Sequence, residues 1–143
     1  MASISRSALV PYTATQMYEL VTDVDGYKEF LPWCRDSEVL CADADVVEGR
    51  IVIAKGGLEK AFTTRNRHQP GKMIEMRLVE GPFRRLEGFW RFQALSEGAS
   101  KVSLDLDFEF SNQLVSMVFG KVFTQLANAL VDAFVERAEQ VYG

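Results

Sequence analysis

Cys34 and His68 are the residues whose types best suit nucleophilic chemistry, because a thiol acts as a nucleophile when a base stands beside it. Nothing in their spacing brings them together. Asp105, Asp107 and Glu109 are the other concentration of reactive groups. Carboxylates two residues apart on a strand share one face. Here they alternate with Leu104, Leu106, Phe108 and Phe110, so they read as the solvated side of a half-buried strand rather than an acid–base pair. Two cysteines and one histidine make no recognisable zinc pattern. No Gly-rich phosphate loop or Ser/His/Asp constellation is present. Cys34 and Cys41 lie on one extended segment, about 23 Å apart if fully stretched. That is too far for a disulfide, which fits a reducing compartment. The residues therefore favour binding over catalysis.

The segment YKEFLPWC, Tyr27 to Cys34, is the most apolar connection in the chain. Connections normally carry small and polar residues. Tyr27, Phe30, Leu31 and Trp33 either plug a core or close a cavity that takes an apolar guest.

The elements around it follow from periodicity. Ser3–Val10 reads as a strand ended by Pro11. Thr13 is an N-cap for a helix through Val24, with Met17, Leu20, Val21 and Val24 at helical spacing. Asp25 starts a second short turn that Pro32 closes. Strands are predicted at 37–42, 46–55, 58–68, 73–79, 84–94 and 102–110, with Gly56-Gly57 and Pro70-Gly71 as turns. Ser111 or Asn112 then caps a helix to about Val141. Its stripe is Phe119, Phe123, Leu126, Leu130, Phe134 and Val141, flanked by Val115, Val118, Val122, Ala129 and Ala133. So broad an apolar face needs a cover, and a one-faced antiparallel sheet needs one too. The expected fold is a single α+β helix-grip domain over residues 1–143. In it a curved antiparallel sheet of about seven strands wraps around the long C-terminal helix.

Composition agrees with one globular domain: 143 residues, 48% hydrophobic and 25% charged. No uninterrupted apolar run approaches a membrane span, and the N-terminus lacks signal-peptide features. The expectation is a cytoplasmic protein. Net charge is −4, yet Lys55–Arg91 holds nine Lys or Arg against four Asp or Glu. That basic stretch is either the solvated side of hairpin strands or a surface for an acidic partner such as RNA or anionic lipid.

The order of elements, with YKEFLPWC and GPFRRLEGFWRF, resembles the coenzyme-Q-binding and ribosome-association-toxin family of the START-like, polyketide-cyclase-like superfamily. The resemblance covers the whole chain. It implies non-enzymatic binding of ubiquinone or a related isoprenoid between sheet and helix, supporting respiration. As the alternative to that first reading, it implies a toxin that binds the large ribosomal subunit and blocks subunit joining. A small antitoxin protein and peripheral contact with the inner membrane are further partners it suggests. Some START-like relatives are cyclases or hydrolases, but no catalytic residue is carried over.

A quinone site is mostly apolar with a few polar groups. Candidate ligand contacts are Tyr27, Phe30, Trp33, Phe62, Met76, Leu78, Trp90, Phe92, Leu106, Phe108, Phe119, Phe123 and Leu126. Each is equally well explained as core packing. The Trp33 indole N–H could meet a quinone carbonyl. Candidate ribosomal-RNA contacts are Arg65, Arg67, Arg84, Arg85 and Arg91, with Lys60, Lys72 and Arg77 nearby.

Overall fold

Alternating strands joined by tight turns pair with their sequence neighbours, and the chain uses that rule almost throughout. The computed structural model describes residues 2–143. Its strands are β1 (Ala2–Val10), β2 (Cys34–Ala42), β3 (Val46–Lys55), β4 (Leu58–Gln69), β5 (Met73–Glu80), β6 (Phe83–Ser96) and β7 (Ala99–Phe110). They form one antiparallel sheet in the order β1-β7-β6-β5-β4-β3-β2. Only β1 pairs out of sequence, along the β7 edge. At the β3–β4 turn Gly56 and Gly57 have φ of 59° and 86°, the left-handed pair a two-residue hairpin requires.

Between β1 and β2 lie α1 (Ala14–Thr22) and a 3-10 helix (Val24–Glu29). Thr13 caps α1 reciprocally with Gln16. The helix ends two residues before the expected Val24, because Asp23 leaves helical geometry at φ −82°, ψ 74°. Val24 instead opens the 3-10 helix and is buried there.

α2 (Gln113–Tyr142) lies across the concave face, with Asn112 accepting from the Val115 amide as N-cap. Its buried stripe runs through Phe119, Phe123, Leu126, Val131, Phe134 and Ala138. Val141 is exposed, contrary to the expected stripe. The helical repeat carries the face to Tyr142 instead, whose hydroxyl donates to the Gln16 carbonyl at 2.9 Å. Val118 is exposed too. α2 is long and apolar enough in composition to cross a membrane, although Thr124, Gln125 and Asn128 break any continuous apolar run. The buried stripe is packed against the sheet, whereas Leu114 and Met117 near its start are exposed.

The sheet's two faces follow the alternation. Val102, Leu104, Leu106 and Phe108 are buried, while Asp105 and Asp107 face outward and accept from Ser5 and Ser3. β6 and β7 approach closely at Gly88, where a Cβ would stand 2.5 Å from the Asp105 carbonyl oxygen. The core forms two clusters. One, under α1, includes Met17, Val21, Trp90, Phe92 and Phe134. The other, under the start of α2, includes Phe62, Phe83, Phe108, Phe119 and Phe123.

Candidate ligand cavity and cationic face

A cavity of about 80 Å³ separates the two clusters. Tyr27, Phe62, Met76, Trp90, Leu106, Phe123 and Leu126 line it, joined by Leu31, Cys34, Gly49 and Phe134. The other apolar candidates stand elsewhere. Phe92 packs edge-on to Tyr18 at 5.7 Å, in the cluster under α1. Phe108 and Phe119 fill the far end with Phe83, Phe110 and Phe123. Leu78 is half-buried at the β5 margin of that cluster. Phe30 backs the wall, edge-on to Phe134 at 5.2 Å. Trp33 lies outside the cavity and half-buried.

The segment 27–34 divides along its length. Tyr27, Leu31 and Cys34 face the cavity, and the buried Tyr27 hydroxyl donates to the Val21 carbonyl. Trp33 takes φ 59°, the only left-handed non-glycine among the described residues. Such a backbone costs about 1–3 kcal/mol and persists only where surroundings enforce it. Here the Ala54 amide donates to the Trp33 carbonyl at 2.9 Å. Lys55 Nζ lies 4.5 Å from the indole centroid and donates to Gln125 Oε1 at 3.2 Å. Arg35 pairs with Glu59 at 2.6 Å. Trp33 thereby links the segment to the β3–β4 hairpin and α2.

Cys34 and His68 are not hydrogen-bonded partners. The Cys34 thiol donates to the Asp36 carbonyl at 3.4 Å, and burial pushes it up to about 11, so it stays protonated. Cys41 is exposed, and both thiols are free. His68 Nδ1 is engaged by the Tyr18 hydroxyl at 3.0 Å. Burial lowers the His68 pKa, holding the ring neutral at pH 7.

β4 also carries polar residues the sequence reading passed over. Its inward positions are Phe62, Thr64, Asn66 and His68, opposite Arg65 and Arg67. Thr64 and Asn66 line the cavity. The alternation of Arg65 and Arg67 was the signal: whatever lies between them must point in.

On the convex face the cations alternate with carboxylates. Arg65 pairs with Glu48 at 3.0 Å, Arg84 with Glu109 at 3.3 Å and Arg91 with Asp105 at 3.8 Å; Arg85 pairs with Glu87. Arg84 sits at a β-bulge between Phe83 and Arg85. Arg67 makes no ion pair among the described residues. Exposed pairs of this kind contribute about 0–1 kcal/mol each and leave the charges available. Two shallow grooves are net cationic. One is lined by Arg65, Arg67 and Arg77 with Glu75. The other includes Lys72, Arg91 and Lys101 with Asp105; Arg6 at its margin is turned to the helix side, where it donates to Asn128 Oδ1 at 3.0 Å.

Known proteins resemble this arrangement in sequence and in fold. The family model described as polyketide cyclase/dehydrase and lipid transport matches residues 10–135. A protein of Pseudomonas aeruginosa named ribosome association toxin RatA is 50% identical over 140 residues, covering 98% of this chain and 97% of that protein. A Xenopus laevis protein named mitochondrial coenzyme Q-binding protein COQ10 homolog B is 29% identical over 143 residues, covering 97% of this chain and 59% of that one. The crystal structure of the Zhui aromatase/cyclase from Streptomyces sp. R1128 superposes with a TM-score of 0.85 at 20% identity, over 97% of this chain and 94% of that one. The last is a likeness of fold, whereas the first spans nearly every residue at an identity that fixes kinship: the chain belongs to the ribosome association toxin RatA family, within the polyketide cyclase/dehydrase and lipid transport superfamily.

Proposed function

We propose that the protein acts in the cytoplasm by binding the large ribosomal subunit through its convex face and so obstructing subunit joining. The observation that carries this reading is the pair of net-cationic grooves on a chain whose overall charge is −4. Phosphate-backbone binding depends on such local concentrations of Lys and Arg rather than on net charge. The full-length kinship with proteins named ribosome association toxins supports it. The test is sedimentation of purified protein with isolated large and small subunits. Comigration with the large subunit alone is expected; absence from both fractions overturns the reading.

A second reading concerns the concave side. The near-wholly apolar cavity supports binding of an apolar ligand such as ubiquinone or another isoprenoid. At about 80 Å³ it is well below the roughly 300–1,000 Å³ of ordinary ligand sites. Uptake therefore needs the α2 and Trp33 side to move outward. Each methylene then buried contributes about 0.8 kcal/mol. Neither reading requires a catalytic group, and we infer a binding protein rather than an enzyme.

A further inference from the structure

β4 sets a polar stripe into the apolar interior. Thr64, Asn66 and His68 occupy successive inward positions. Thr64 and Asn66 are both buried, at 9% and 8% exposure. Thr64 Oγ1 donates to Asn66 Oδ1 at 2.9 Å. That bond fixes the amide and leaves its Nδ2 donors for whatever fills the cavity. Adjoining the cavity, with Tyr27, Asn66, Met76 and Trp90 as shared walls, a narrow void of about 10 Å³ forms an extension that reaches His68. His68 Nε2 is buried there without a hydrogen-bond partner among the described residues.

The ring's other side orients it. A phenol is the stronger donor and an imidazole nitrogen the stronger acceptor, so the Tyr18 hydroxyl donates to Nδ1. The imidazole proton then sits on Nε2 and points into the extension. The His68 amide is itself held by the Asp45 carbonyl at 2.7 Å, which keeps this end of the strand in place. A buried donor with no acceptor is destabilising, and natural interiors rarely retain one without a use.

Resting on the reading that the cavity takes an apolar ligand, we propose that Asn66 and His68 are its head-recognition site and donate to a neutral carbonyl oxygen. Among the described residues, no Lys or Arg lines the cavity or its extension. A carboxylate there would be a buried charge without a partner, so a fatty acid fits poorly and a ketone, quinone or ester fits well. The extension has room for an oxygen atom or one water but not for a ring. The ligand's ring or chain would therefore occupy the larger cavity, with its oxygen directed along β4.

The test compares two probes of similar tail, decylubiquinone and carbonyl-free decylbenzene, by displacement of diphenylhexatriene. The proteins are wild type, Asn66→Leu, His68→Phe and His68→Gln. Decylubiquinone affinity should fall about tenfold in Asn66→Leu and in His68→Phe, the loss of one hydrogen bond from a desolvated site. Decylbenzene affinity should stay unchanged, and His68→Gln, which keeps a donor, should recover part of the loss. The infrared carbonyl stretch of bound decylubiquinone should shift to lower frequency in wild type. Equal affinities in all four proteins, equal losses for both probes, or an unshifted carbonyl would overturn the head site and leave the apolar cavity standing. Failure of wild type to take up diphenylhexatriene or either probe would overturn both. If the substitutions unfold the protein, the wild-type infrared shift decides.

Discussion

His68 is the residue with the clearest physical signature. It is the sole histidine, and burial depresses its pKa in the fold. Between that depressed value and about 6.5, the unfolded chain binds more protons than the folded one. Stability should therefore rise with pH across this window, be complete above about 6.5, and fall as the solution is acidified. Urea unfolding at a series of pH values between 5 and 7.5 measures it. His68→Gln should flatten the slope, and an unchanged slope would assign it to other groups. In the sequence His68 stands out as a possible base for Cys34, a pairing that spacing cannot test. Folding gives each of them a different partner, the Tyr18 hydroxyl and the Asp36 carbonyl. Asn66 was harder to notice, because polar residues on the inward side of β4 hide an alternation that apolar ones would have displayed.

At the scale of elements, the strands were legible where alternation was clean. β7 is the clearest case, with Val102 to Phe108 inward and Asp105 and Asp107 outward. Which aromatic residues meet the cavity was not legible. Period-2 reasoning assigns a face, whereas position along the strand decides between cavity and packed end. Phe108 and Leu106 share a face, yet only Leu106 reaches the cavity. Trp33 was misleading for another reason. Its left-handed backbone sets the indole under Lys55 and against the cluster at the start of α2 rather than in the cavity wall, and no local pattern announces that. This contact and the Lys55–Gln125 hydrogen bond join three elements at one side of the cavity. Both are exposed and weak. Lys55→Ala should speed diphenylhexatriene uptake several-fold in stopped-flow fluorescence while shifting Tm little. An unchanged uptake rate would place the entrance elsewhere.

The whole molecule has two unlike sides. The concave side is apolar, closed by α2 and the 27–34 segment, and holds a small cavity with a polar stripe. The convex side is a field of alternating charges in which the grooves around Arg67 and Arg91 are net positive. The excess of positive charge in Lys55–Arg91 was legible from the sequence; its partition by interleaved carboxylates was not. Glu48, Asp105 and Glu109 come from strands outside or at the limits of that stretch and pair with Arg65, Arg91 and Arg84. If these grooves contact RNA phosphates, binding must weaken with salt. About three or four phosphate contacts would reduce affinity roughly 40- to 150-fold between about 50 and 200 mM salt. The two sides are also separable: changes to Asn66 or His68 should leave subunit binding unaltered.

The measurement that bears most directly on ribosome binding through the convex face is the affinity of purified large subunits for wild type and for an Arg67→Glu, Arg91→Glu double variant, at low and moderate salt. Wild type should bind in a salt-sensitive manner and the double variant should lose at least tenfold in affinity, with an unchanged Tm. Equal, salt-insensitive binding by both proteins would contradict this expectation and move the contact off this face.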